Sequence, residues 1–174
     1  ALYKGFPDLQ SAEAAFKMGY EAYRKATPIS KVQAYVCSEK PVSQAFAVDA
    51  ACSGNPGLLE FRGVIADTGT EIFRRGPFPK GTNNIGEFLA LVLGLAYLKQ
   101  HNLPWALYTD SVTALAWVRQ KKCKTKLEFD NTNLELLMMI RKAEQWLAQN
   151  TYTTRVLKWE TSLWGEIPAD FGRK

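Results

Sequence analysis

Histidine is nearly missing from this 174-residue chain. The one copy, His101, stands between a long apolar run and Pro104, far in sequence from the acids near the C-terminus. It reads as a surface residue near a helix end, and it leaves no imidazole near Asp170. Cysteine is sparse too. Cys37, Cys52 and Cys123 are odd in number and lack metal-ligand spacing, so they read as reduced thiols of a cytoplasmic protein. No apolar run is long enough to span a bilayer; the longest is Phe88 to Leu98. No secretory signal, repeat or low-complexity tract is legible. The chain begins at Ala1 rather than Met, from which an upstream segment, removed or left out, is expected. Acids are in deficit, 17 against 22 Lys and Arg, giving a net charge of +5. That balance favours an anionic partner such as nucleic acid.

Apolar residues, by contrast, make up 47% of the chain, ample for one full domain with room for a fragment of a second. The stretch from Gln44 to Gly57 organises the rest. It opens as a strand with Phe46 and Val48 on one face and Ala45, Ala47 and Asp49 on the other. It closes in Gly54-Asn-Pro-Gly57, a strong turn signal. Asp49 therefore sits in a strand built for burial, where a carboxylate is costly unless it is paired or holds a cation. A turn-stabilising aspartate would also fit that position.

Three later acids bear on this choice. Glu87 follows Thr82-Asn-Asn-Ile-Gly86 and opens the long apolar run. Asp110 ends the short strand from Trp105 to Thr109. Asp170 lies in Trp164-Gly-Glu-Ile-Pro-Ala-Asp170. Each has an ordinary reading, as a helix N-terminal acid, a helix cap and a surface acid respectively.

The predicted order from Gln44 is strand, strand, strand, helix, strand, helix, helix, strand, helix. The second strand runs from Leu58 to Asp67 and the third from Glu71 to Arg75. A helix from Gly86 to Gln100, apolar nearly all round, is expected to be buried against the sheet. Ser111 to Gln120 and Asn131 to Asn150 follow as helices, Thr153 to Trp159 as the last strand, and residues 165 to 172 as a short final helix. Upstream, Ala1 to Phe6 reads as a strand, followed by a helix that Asp8 or Ser11 can cap. Residues 25–41 read as a linker.

Taken in order, Asp49 with Gly54-Asn-Pro-Gly57, Thr82-Asn-Asn-Ile-Gly-Glu87, Tyr108-Thr-Asp-Ser111, Lys158-Trp159 and Trp164-Gly-Glu166 with Ala169-Asp170 resemble the type 1 ribonuclease H family. The likeness is to its bacterial form with an N-terminal hybrid-binding domain. It covers about residues 42–174, which it implies to be a catalytic domain. Residues 1–24 resemble only the second half of the hybrid-binding domain, through Tyr3-Lys-Gly-Phe6 and Ser11-Ala-Glu-Ala-Ala-Phe16, and are expected to be a remnant adding little affinity. The resemblance implies an α/β, ribonuclease H-like fold, a mixed five-stranded sheet flanked by helices.

The activity implied is hydrolysis of the RNA strand of RNA–DNA hybrids, leaving 5′-phosphate and 3′-hydroxyl ends. Four converging carboxylates repel one another unless cations lie between them, and oxygen-only ligands suit Mg²⁺ or Mn²⁺. The family uses two such ions about 4 Å apart. By the resemblance, Asp49 bridges both, Glu87 and Asp110 share the ion that activates water and steadies the substrate, and Asp170 completes the nucleophile-side ion. Glu166 stands where relatives carry a glutamate linked to metal release, and a helix through residues 165–172 would put it on one face with Asp170.

Substrate contacts implied by the family pattern are Cys52, Ser53, Gly54 and Asn55 at 2′-hydroxyl groups of the RNA strand, and Asn83 and Asn84 at the DNA strand. Thr82 and Thr161 fall at a phosphate pocket, with Ser111 and Lys158 alongside. Trp117 falls on a DNA sugar, or else in the core of an amphipathic helix. Some positions depart from the pattern. Ala50-Ala51 and Cys52 replace the usual residues after the first acid. Val112 replaces a polar residue, which puts one substrate hydrogen bond in doubt. The basic handle of some relatives is missing, with Arg119 to Lys126 as a short basic patch in its place, readable equally as a solvated loop. A monomer with no membrane association is expected. Two other readings remain: a non-catalytic hybrid-binding module on the same scaffold, and a transposase or integrase. A pure binder has no use for a self-repelling acid cluster, and the Gly54–Gly57 turn and Thr82-Asn-Asn84 argue against the DNA-cutting enzymes.

Overall fold

The computed structural model describes residues 41–172. The remnant expected at 1–24, almost all of the linker, and the last two residues lie outside the described residues.

Five strands and four helices follow the predicted order: β1 (Ala45–Gly54), β2 (Gly57–Ile65), β3 (Glu71–Gly81), α1 (Asn83–Gln100), β4 (Ala106–Thr109), α2 (Val112–Arg119), α3 (Leu134–Gln149), β5 (Val156–Lys158) and α4 (Thr161–Trp164). The strands form one sheet in the order β3-β2-β1-β4-β5. β1, β2 and β3 are antiparallel neighbours, while β4 runs parallel to β1 and β5 parallel to β4.

Alternation along β1 feeds two separate cores. Phe46, Val48 and Ala50 join a large cluster with Leu59 and Phe61 of β2 and the apolar faces of α1, α2 and α3. Ala45 and Ala47 point into a smaller cluster with Val64, Tyr108, Trp159, Ile167 and Ala169. α1 is buried nearly all round, as its sequence requires, because β1 and β2 cover one side and α2 and α3 the other.

The hairpin between β1 and β2 is tight. A Cβ on Gly57 would stand 2.2 Å from the Ser53 carbonyl oxygen, and Gly54 has φ +118°. Both positions need glycine. The turn also sets the register: Gly54 pairs with Gly57, so five residues further back Asp49 pairs with Arg62.

Several boundaries differ from expectation. β3 runs on to Gly81, past the expected end at Arg75. Gly76, Pro77 and Pro79 look like breakers, but β3 is an edge strand, where a missing N–H costs no ladder bond, and its pairing with β2 is broken by register shifts that absorb them. α1 starts at Asn83 rather than Gly86. α3 starts at Leu134 rather than Asn131, because Asp130 and Asn133 tie the preceding turn: the Asp130 N–H donates to Asn133 Oδ1 at 2.8 Å and that of Thr132 to Asp130 Oδ1 at 2.8 Å.

The helix expected over residues 165–172 does not form. A four-residue helix, α4, ends at Trp164 instead. Gly165 at φ +77° stops it, and Pro168 has no N–H to continue one. Glu166 and Asp170 therefore do not share a helix face.

Candidate active site

Asp49, Glu87 and Asp110 come from three different elements and meet. Each offers a carboxylate oxygen, and these oxygens lie within 4.8 Å of one another. Asp49 reaches the site from the middle of β1. Asp110 follows the last residue of β4, and the parallel register of Ala47 with Tyr108 carries two residues on to bring Asp110 level with Asp49. Glu87 is in the first turns of α1. It arrives there because Gly86 lets the helix press on the sheet: a Cβ on Gly86 would lie 2.7 Å from the Ala50 Cβ and 2.5 Å from Leu59 Cδ1.

Burial governs the electrostatics. Asp49 and Glu87 are each only 7% exposed. Desolvation pushes the Asp49 carboxyl up to about 7, with Asp110 and Asp170 adding repulsion. The same cause pushes Glu87 up to about 8, again reinforced by Asp110 and Asp49. Asp110 is also raised, first by burial and then by Glu166 and Asp170, against the pull of Lys158. The Asn83 side-chain amide donates to Glu87 Oε1 at 2.7 Å, but Glu87 Oε2 is buried without a hydrogen-bond partner. Clustered, desolvated carboxylates with an unpartnered buried oxygen fit a hard divalent cation: all the donors are oxygens, and a cation offsets both the cost of their burial and their mutual repulsion.

Asp170 stands close enough to raise both Asp49 and Asp110, yet it is not one of the three converging acids. Its Oδ2 accepts from the Gly172 N–H at 2.7 Å. The segment carrying it is held by Arg62, whose Nε donates to the Ala169 carbonyl at 2.8 Å and whose guanidinium also donates to the Asp170 carbonyl at 2.6 Å. Sequence reasoning missed Arg62. The one available signal was the hairpin register, which puts a lone cation opposite Asp49. Glu166 is exposed, in the segment after α4, and acts on Asp110 through its charge.

Beside the acids lies an open cleft of about 460 Å³ lined by Cys52, Gly54, Asn55, Asn83 and Asn84. Asn83 thus touches both cleft and acid cluster. Ser53 is exposed next to it. The Cys52 thiol donates to the Gly81 carbonyl at 3.3 Å, and burial raises its pKa. Thr82 precedes α1 with no capping bond from its side chain. Ser111 has a structural duty, since its Oγ accepts from the Ala114 N–H at 3.1 Å and caps α2. Trp117 is half-buried against Phe88, ring centroids 6.1 Å apart. Lys158 Nζ donates to the Trp159 carbonyl at 2.6 Å, and Thr161 is exposed at the start of α4.

No family model matches the chain. Among solved structures, LC11-RNase H1, isolated from compost by a metagenomic approach, is similar over 70% of this chain and 87% of its own, at 18% identity and a TM-score of 0.47. RNase H1 from the halophilic archaeon Halobacterium salinarum matches over 68% of this chain and 86% of its own, at 19% identity and a TM-score of 0.43. LC11-RNase H1 in complex with an RNA/DNA hybrid has the same coverage, at 20% identity and a TM-score of 0.40. The sheet itself, three antiparallel strands in the order β3-β2-β1 followed by β4 and β5 parallel to β1, has the ribonuclease H-like fold that the sequence predicted.

Proposed function

We propose that this chain is a metal-dependent endoribonuclease that hydrolyses the RNA strand of RNA–DNA hybrids, leaving 5′-phosphate and 3′-hydroxyl ends. One observation carries the reading: the convergence of Asp49, Glu87 and Asp110 within 4.8 Å, with an unpartnered buried oxygen on Glu87. That cluster is costly for a protein that only binds, and it has a use in one that holds cations.

Asp49, Glu87, Asp110 and Asp170 would hold Mg²⁺ ions, with Mn²⁺ as a substitute. Such ions supply Lewis-acid neutralisation of charge at a phosphodiester. The chain's own groups do the rest. Asn83 fixes the Glu87 carboxylate through Oε1 and faces the cleft with its neighbour Asn84. Backbone groups of Cys52 to Asn55 and the Asn55 side chain read 2′-hydroxyl groups of the RNA strand, the mark that separates RNA from DNA. Asn83 and Asn84 receive the DNA strand, Thr82 and Thr161 a DNA phosphate, and Trp117 a DNA sugar. Lys158 and Ser111 flank the acids. Glu166 acts after cutting, in product release. The net charge of +5 favours the polyanion.

Within this reading the protein acts as a monomer in the cytoplasm. Among the described residues no helix is long and apolar enough to cross a membrane.

The test is incubation of the chain with labelled RNA–DNA hybrid, DNA duplex and RNA duplex, with and without Mg²⁺. Cutting of the hybrid's RNA strand alone, and only with the metal, is expected. Binding without cutting would favour the non-catalytic hybrid-binding module. Equal cutting of the DNA duplex would favour a transposase-like enzyme.

A further inference from the structure

The segment from Gly165 to Gly172 carries Asp170 but has no regular structure of its own after α4 ends. Its anchors can be enumerated. Ile167 and Ala169 are buried in the smaller core. The Asp170 N–H closes a local turn on the Ile167 carbonyl at 2.8 Å. Beyond these, two side chains take hold of the backbone: the Trp159 indole N–H donates to the Gly165 carbonyl at 2.8 Å at the start of the segment, and Arg62 grips it at Asp170. Arg62 donates to two successive carbonyls, Ala169 at 2.8 Å and Asp170 at 2.6 Å, and its guanidinium carbon lies 4.9 Å from the centre of the Phe171 ring. Its remaining nitrogen pairs with Glu71 of β3 at 3.2 Å, which fixes the fork's direction. Arg74 stands over the same Phe171 ring at 5.1 Å. Arg62 is itself fixed in the sheet, directly opposite Asp49.

From this geometry we infer that Arg62 is the positioning residue for Asp170: it straps the C-terminal segment to β2 so that the fourth acid stands beside Asp49 and Asp110. The inference rests on the nuclease reading of the site, and it adds a residue that none of the motifs contains. A guanidinium suits the task because its planar fork reaches two adjacent carbonyl oxygens while keeping a third donor for Glu71. A lysine at this position would keep a positive charge opposite Asp49 but could not make the fork. The strap is thus separable from a charge effect of Arg62 on Asp49.

The experiment uses the full chain with Arg62→Ala, Arg62→Lys, Asp170→Asn and the Arg62→Ala/Asp170→Asn double variant. Hydrogen exchange of the metal-free protein, read by mass spectrometry, should show residues 165–172 exchanging roughly tenfold faster or more in Arg62→Ala, with α1 still protected as in the wild type. Single-turnover cleavage of a hybrid in Mg²⁺ should slow by roughly 10- to 100-fold, the usual effect of removing a group that orients a ligand, with hybrid affinity unchanged. Arg62→Lys should recover little of that rate. In the Asp170→Asn background, Arg62→Ala should cost nothing further, since both act through one acid. Wild-type exchange over residues 165–172 in Arg62→Ala overturns the inference. So does an undiminished Arg62→Ala effect in the Asp170→Asn background, or full recovery by lysine, either of which would assign Arg62 to the charge balance of Asp49. A wild-type protein that fails to cut would sink the nuclease reading instead, and the exchange data would still decide whether Arg62 holds the segment.

Discussion

The side-chain amide of Asn83 donates to one oxygen of Glu87 at 2.7 Å, and the other oxygen of that carboxylate is buried with no partner. Half of the group is oriented and half is left for something that the described residues do not supply. The pH dependence of the metal-free protein follows. Asp49 and Glu87 have folded-state pKa values of about 7 and about 8, raised from 3.8 and 4.5. A carboxyl raised on folding contributes stability that is fully present below its unfolded value. That stability is lost as the pH rises and is gone once the pH passes about 7 for Asp49 and about 8 for Glu87. The metal-free protein should therefore melt several degrees lower at pH 9 than at pH 5. Glu87→Gln should reduce that difference without abolishing it, because Asp49 is raised as well. Added Mg²⁺ should raise the melting temperature at pH 8 in the wild type but not in Asp49→Asn. Calorimetric scans across pH check all three, and a wild-type profile that rises from pH 5 to pH 9 would contradict the burial argument.

Asp49→Asn and Asp110→Asn should each reduce cleavage on the order of a thousandfold, because each removes a charge that holds the cations. Hybrid binding in Mg²⁺ should remain. Gel shifts beside cleavage assays separate the two effects, and near-wild-type cutting by either variant would end the metal-site assignment.

Gly86→Ala should damage the site from a distance. The added methyl would lie 2.5 Å from Leu59 Cδ1 and 2.7 Å from the Ala50 Cβ, so α1 must move off the sheet. A loss of about 1–3 kcal/mol in denaturant unfolding is expected. The Mg²⁺ dependence of cleavage should shift to higher concentration as well, since Glu87 moves with the helix. Unchanged stability would mean that the contact relaxes without cost.

Glu166→Gln should slow multiple turnover more than the first cut. The reason differs from the sequence argument, because Glu166 shares no helix face with Asp170 and acts instead through its charge on Asp110. His101→Ala should be close to silent: His101 caps the C-terminal end of α1, is exposed and lies tilted against the Tyr97 ring, centroids 4.3 Å apart. A crippled but folded His101→Ala beside a normal Glu166→Gln would reverse the two roles.

Hybrid affinity should fall roughly tenfold or more between low and physiological salt, through counterion release from phosphate contacts. A salt-insensitive affinity in filter binding would point away from a phosphate-tracking surface.

The parts of the fold that local chemistry decides were legible in the sequence. The alternation of β1, the glycine turn at residues 54–57, the all-apolar α1 and the helix opening at Ser111 lie where their residues require, although Ser111 itself serves as the cap of α2 rather than its first residue. β3 was read too short because a proline's meaning depends on whether the strand is at an edge, and edge position is a property of the whole sheet. The final helix was read where Gly165 and Pro168 forbid one. The spacing of Glu166 and Asp170 suggested a shared helix face, but spacing has that meaning only inside a helix. Asp49, Glu87 and Asp110 were each marked by a carboxylate in an apolar or strand-end setting. Arg62 was not, because the two carbonyls it holds lie 107 and 108 residues further along the chain.

That separation has a consequence for the order in which the molecule assembles. The hairpin of β1 and β2 closes over a turn of a few residues, and α1 follows soon after in the chain. The hold of Arg62 on Ala169 closes a loop of more than a hundred residues, the most entropically demanding kind of contact to form. During synthesis, the segments bearing Asp49, Glu87 and Asp110 leave the ribosome before the one bearing Asp170. A nascent or refolding chain should therefore pass through a stage with its first three acids in place and the fourth still undocked, and competence at the site should appear only with this last closure.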